Sequence, residues 1–158
     1  MSFLAQINSN GYEVIVALVV ANIMAQVIKT IIFAITTRTL DLRMLFTTGG
    51  MPSSHSASVV ALATTIGLLT GWDSIMFGLA LAFAIVVMYD SAGVRRSAGR
   101  QAAVLNHIVQ ELFSHDHKVA EGRLKELLGH SPKEVLCGAV LGALVSLALR
   151  QIITIYAG

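Results

Sequence analysis

Side chains able to bind or transfer a charged group gather in a few short stretches. The first is GGMPSSHSAS at positions 49–58, where glycine, proline, hydroxyls and His55 stand at the head of an apolar run. Gly49 and Gly50 permit tight backbone geometry, Pro52 suits an entry turn, and either Ser53 or Ser54 can cap the helix that follows. A helix start offers free N–H groups and the positive end of the helix dipole, which together favour a phosphate oxygen. Ser53 and Ser54 would add hydroxyl donors, and His55 could pass a proton to a leaving group. A capped helix carrying an interfacial histidine explains the same residues without any chemistry.

The second stretch is LGHSPKEV at 128–135. His130 follows Gly129 and precedes Pro132 at the mouth of the last apolar segment, at the membrane depth of His55. Glu134 lies one helical turn on, where a carboxylate can hold the ring and stabilise its imidazolium form. His107 and Glu111 repeat that spacing, but inside a continuous amphipathic pattern where an exposed i,i+4 pair accounts for them. Arg95 and Arg96 follow Gly93, and the planar fork of arginine binds phosphate oxygens in pairs. Asp90, just before them, could orient an arginine or hold a histidine. The structural reading of these three is the positive flank of a span neutralised by one carboxylate. Asn22, Gln26 and Lys29 stack on one helical face, either as interhelical hydrogen bonds with a lysine reaching for the interface or with Lys29 as part of a site. His115, Asp116 and His117 read as a solvated turn, because adjacent side chains do not converge on one ion without a special loop.

These residues need elements to position them, and the composition says which kind. The chain has 158 residues, of which 55% are hydrophobic and 13% charged, with a mean hydropathy of +0.74. The expected solvent is a bilayer and the expected fold is all-α, a single membrane domain over 1–158. Four candidate spans stand out: Val14 to Thr37, Ser56 to Trp72, Ser74 to Tyr89 and Val135 to Leu149, the last interrupted by Arg150. The middle two are short for spanning and read as a hairpin turning at Gly71, Trp72 and Asp73, with the indole at the interface. Ser97 to Phe113 has the period of a helix lying on the membrane or closing as a lid, and Val119 to Leu128 resumes that pattern before Gly129 stops it. Gly138 and Gly142 are spaced for close helix approach. No removable signal peptide is read in Met1 to Asn10, and Cys137 reads as a packing residue.

Nine of the eleven Lys and Arg residues fall within 38–54 or 90–134, four of the five histidines fall there too, and His55 borders the first. With four spans these segments share one face, and the bias of basic residues makes that face cytoplasmic. Asp90, Glu111, Asp116, Glu121, Glu126 and Glu134 lie in the same segments, which argues against a nucleic-acid partner. Four spans make a thin bundle, and homo-oligomerisation is one way for such a chain to enclose a site.

The first stretch also resembles the P-S-G-H motif of the type 2 phosphatidic acid phosphatase superfamily, with Ser54 where that motif has glycine. The likeness extends to a divergent branch of small membrane proteins through GGMPSSHSA at 49–57, DSAGVRRSAGRQAAVLN at 90–106 and LGHSPKEV at 128–135. The resemblance implies a phosphomonoesterase in which one histidine attacks phosphorus, another protonates the leaving oxygen and cations hold the phosphoryl oxygens, with no metal or other cofactor. The superfamily's S-R-x5-H-x3-D has two near matches, Arg123-x6-His130-x3-Glu134 and Arg100-x6-His107-x3-Glu111, and His130 is the preferred nucleophile. Its K-x6-R-P is not reproduced, since Lys29 and Arg38 stand nine apart, about half a turn round an ideal helix.

The expectation is therefore an integral membrane lipid phosphatase in a bacterial plasma membrane or organellar equivalent. Its substrate is a lipid phosphate: phosphatidate, phosphatidylglycerol phosphate or a polyprenyl phosphate or diphosphate. His55, His130, Glu134 and Asp90 are the catalytic set, with Lys29, Ser53, Ser54, Arg95 and Arg96 on the substrate. The altered motifs favour an alternative, a non-catalytic phospholipid-binding or lipid-moving protein, and the glycine pattern a third, a small subunit packed against a larger membrane complex.

Overall fold

The computed structural model describes residues 3–41, 43, 45, 50–112 and 130–157, and the described elements are all helical. They are α1 (Phe3–Ile7), α2 (Gly11–Thr37), α3 (Ser54–Thr70), α4 (Ile75–Ala92), α5 (Val94–Leu112) and α6 (Pro132–Ala157). Side chains mark the helix starts. Asn10 accepts from Tyr12 N, Ser53 from Ser56 N and Ser74 from Phe77 N, each satisfying a donor that the helix leaves open. At α6 the cap is reciprocal: Ser131 N donates to Glu134 Oε2 at 3.2 Å, Glu134 N to Ser131 Oγ at 3.4 Å, and Pro132 takes the first helical position.

The chain is an integral membrane protein, with α2, α4 and α6 long and apolar enough to cross a bilayer. The remaining apolar helix, α3, has 17 residues. It packs against α2, α4 and α6 and buries Ala57, Val59, Ala61 and Ala63. Enclosed in this way, it need not present a full-length apolar surface to lipid. The α3–α4 hairpin turns at Gly71, which adopts φ 94°, and the Trp72 ring meets Phe77 edge-on at 5.0 Å.

Small residues bring α3 and α6 close. A Cβ on Gly138 would run into the Ser53 carbonyl oxygen, and one on Gly142 into that of Ala57 while standing 3.0 Å from Ala61 N. One turn further along, Ser146 Oγ donates to Ala61 O at 2.9 Å. Partners on the two helices advance together by four residues, so α3 and α6 run parallel and their mouths open at one end of the bundle. The glycine pattern is thus taken up inside the chain, which removes its support for docking onto a larger complex. Gly142→Val puts a branched side chain against immovable backbone, and overpacking of this kind costs about 1–3 kcal/mol. Thermal unfolding in detergent should show the loss, whereas a wild-type melting temperature would contradict the close approach.

At the other end, Arg150, the charge that interrupts the last apolar segment, is paired. Its Nη1 lies 3.0 Å from Oε2 of the fully buried Glu13 and 3.1 Å from Asn8 Oδ1, tying the end of α6 to the start of α2. Among the described residues α5 packs against α4 alone. Its apolar stripe of Val104, Leu105, Ile108 and Val109 is exposed, as a helix lying on a membrane surface requires and a lid over the bundle does not. His115, Asp116, His117, Arg123 and the helical pattern expected over 119–128 lie outside the described residues.

Candidate active site

The site begins with a ladder between α2 and α3. Asn22 Nδ2 donates to Ser58 Oγ at 3.0 Å, and Gln26 Nε2 to Ser54 Oγ at 3.2 Å. One turn beyond Gln26, the stem of Lys29 packs on Gly50, whose φ of 82° is a left-handed conformation; a Cβ there would stand 3.4 Å from Lys29 Cγ. The two helices are antiparallel, so equal four-residue steps on each bring these layers into register. Lys29 is 2% exposed and therefore does not reach out to the interface. The ladder carries its ammonium to the loop that leads into α3.

Ser53 is the cap of α3 and is fully buried; its Oγ accepts from both Ser56 N and Ser56 Oγ. Ser54 Oγ accepts from Gln26, and each of these two hydroxyls keeps its own hydrogen as a donor. Ser53 N donates to Glu134 O at 3.0 Å, and this bond locks the mouth of α3 to the first turn of α6.

His130 is held from both sides. Its backbone N donates to the Ser91 carbonyl at 3.1 Å, which ties it to the last turn of α4, and its Nδ1 lies 3.0 Å from Glu134 Oε2. The same carboxylate oxygen accepts from Ser131 N, so the helix cap fixes the group that orients the ring. With a carboxylate on Nδ1, that nitrogen is the donor, and in the neutral ring Nε2 carries the lone pair. The ring is buried at 4% exposure and faces His55, with centroids 6.2 Å apart and planes at 61°.

The negative charge of Glu134 also acts on Lys29, so the cluster holds a cation, a carboxylate and two imidazoles within one polar layer. Asp90 lines the same cleft as His55. Arg95 and Arg96 fall in the first turn of α5, immediately after Gly93, but their side chains lie outside the described residues. Arg38 is the left-handed C-cap of α2, exposed and beyond the last turn, and does not share the buried position of Lys29. His107 is exposed on α5, and the side chain of Glu111 lies outside the described residues. Among the described residues no three His, Cys, Asp or Glu side chains are grouped to hold a metal ion.

Three participants were not legible as such. The Ser91 carbonyl carries no residue-type signal. Gly50 as the floor under Lys29, and Ser58 as the partner of Asn22, depend on the register of α2 on α3. The hint in the sequence was the pair of four-residue spacings, Asn22 to Gln26 and Ser54 to Ser58.

Fold and site together define an integral membrane helical protein with a buried polar cluster at one end of its bundle. The chain belongs to the Divergent PAP2 family, whose description matches residues 10–145. It is similar to the uncharacterized membrane protein YuiD of Bacillus subtilis (strain 168), with 45% identity over 139 residues, covering 82% of this chain and 88% of the relative. No solved structure matches.

Proposed function

We propose that this protein is a lipid phosphatase that hydrolyses a phosphomonoester, or a polyprenyl diphosphate, at the membrane surface. The observation that carries the reading is the Glu134–His130–His55 arrangement: a carboxylate on Nδ1 of one buried ring, and a second imidazole meeting that ring edge-on at 6.2 Å beside an open cleft. His130 Nε2 gives its lone pair to phosphorus as the P–O bond to the lipid alcohol breaks, and His55 gives the departing oxygen a proton. Water then attacks the phosphohistidine, His55 takes its proton, and inorganic phosphate leaves with His130 regenerated. Lys29, the hydroxyls of Ser53 and Ser54, the positive end of the α3 dipole, and Arg95 and Arg96 hold the phosphoryl oxygens, with Asp90 orienting a neighbouring group. Ser91 Oγ, buried without a hydrogen-bond partner in this layer, is a further donor suited to a polar ligand.

A phosphate-release assay on purified protein in micelles, with a panel of lipid phosphates, tests the proposal. Release of phosphate is expected. Saturable binding without release would favour the second reading, a phospholipid-binding protein, which draws on Arg38 standing apart from Lys29.

The site's face is expected to be cytoplasmic. Cysteines introduced at Thr39 and Ser114 should be protected from an impermeant thiol reagent in intact cells. Ready labelling of both from outside would reverse the orientation.

A further inference from the structure

Beside His55 a cleft of about 470 Å³ opens between α2, α3 and α4. From Asp90 at its polar end to Phe83 it follows α4 for two helical turns, about 10 Å. Its α4 wall is apolar, formed by Phe83, Val86 and Val87, and Phe83 and Val86 are exposed on the outer surface of the bundle. The opposite wall is mixed, with Val59 beside polar groups. One turn below His55, Asn22 and Ser58 face the same space.

The orientation of the Asn22 amide follows from its partner. Ser58 has one hydroxyl hydrogen, and that hydrogen goes to Ser54 O at 2.9 Å. The amide atom 3.0 Å from Ser58 Oγ must then be a donor, Nδ2, so the second amide hydrogen and Oδ1 remain for the cleft. The groove between α2 and α6, lined by Ile28, Ile32, Val140 and Leu144, has no comparable polar group.

We propose that the cleft holds the alcohol moiety of the substrate and that Asn22, set by Ser58, is a specificity-determining residue. It reads an oxygen function, a hydroxyl or an ester carbonyl, carried by the alcohol one helical turn below the phosphate. This rests on the lipid-phosphatase reading of the same site. A glycerol-based phosphomonoester has such oxygens a few bonds from its phosphate; an isoprenyl or simple alkyl phosphate presents only methylene and methyl groups there. The hydrocarbon would leave the amide desolvated and unpaired, and sites built around a polar partner reject analogues lacking it far more strongly than apolar pockets reject extra bulk.

The test compares kcat/KM for phosphate release by the full-length protein in micelles, with dioleoyl phosphatidate against hexadecyl phosphate and a polyprenyl phosphate. Wild type should favour phosphatidate by about tenfold or more. Asn22→Leu should lower the rate on phosphatidate while that on hexadecyl phosphate holds or rises, bringing the ratio close to one. Ser58→Ala, which keeps the amide but removes its anchor, should shift the ratio in the same direction by less. Equal wild-type rates would overturn the assignment, as would Asn22→Leu losing both activities in proportion, the result of a purely structural bond between α2 and α3. If Asn22→Leu does not fold, the wild-type ratio and Ser58→Ala still decide. Should no lipid release phosphate, the phosphatase reading falls, and equilibrium binding of phosphatidate and hexadecyl phosphate to wild type reads the selectivity instead; equal affinity then overturns the role of Asn22.

Discussion

Purified His130→Ala is expected to release phosphate at least about 10³-fold more slowly than wild type from every lipid phosphate that wild type hydrolyses, because the variant lacks the atom that attacks phosphorus. The substitution should leave the surrounding frame standing. Glu134 Oε2 still accepts from Ser131 N, so the α6 cap persists, and Ser53 N still donates to Glu134 O across the two helix mouths. Elution and helicity in detergent are the controls. His107→Ala, by contrast, should run near the wild-type rate, since its ring is exposed on α5 and not in the buried layer. An active His130→Ala beside a dead His107→Ala would show that the nucleophile lies on α5.

His55→Ala should separate substrates by leaving group. A lipid alkoxide departs poorly without a proton, so its hydrolysis should fall by about 10²- to 10⁴-fold, the range usual for a lost general acid. p-Nitrophenyl phosphate, whose phenolate leaves without a proton, should lose far less. The ring's position argues for this role: it sits in the first turn of α3, 6.2 Å from the His130 ring, and borders the cleft proposed for the alcohol. A uniform loss on both substrates would make His55 a phosphate-binding or structural group instead.

Much of this arrangement was legible before the structure. His55 and His130 both stand at the polar heads of apolar segments, so a membrane-defined depth puts them at one level. The four-residue spacing of His130 and Glu134 announced the carboxylate on the ring, whereas the reciprocal cap with Ser131 emerged only in the structure. The spacing of Gly138 and Gly142 announced a close approach of backbones. Which helix would approach was not legible, because small residues permit contact with any neighbour, and the partner turned out to be α3 in parallel register. The number of full-length spans was also blurred. An apolar run of 17 residues reads the same whether it crosses lipid or is wrapped by other helices, and only packing shows α3 to be wrapped. Lys29 illustrates the same limit. Its shared face with Asn22 and Gln26 follows from helical spacing, whereas its burial against Gly50 depends on a loop whose path no periodicity encodes.

If His130 is the nucleophile, phosphorus passes through its Nε2, and the position of the phosphoryl group on the protein decides the matter. Wild-type protein mixed with excess lipid phosphate, quenched in alkali to preserve phosphohistidine, digested and read by mass spectrometry, should carry the group on residue 130. The group should disappear from residue 130 once the substrate is exhausted and phosphate is released. Phosphate release with the phosphoryl group on His107 or His55, or turnover with no phosphoenzyme detectable under single-turnover conditions, would contradict the account.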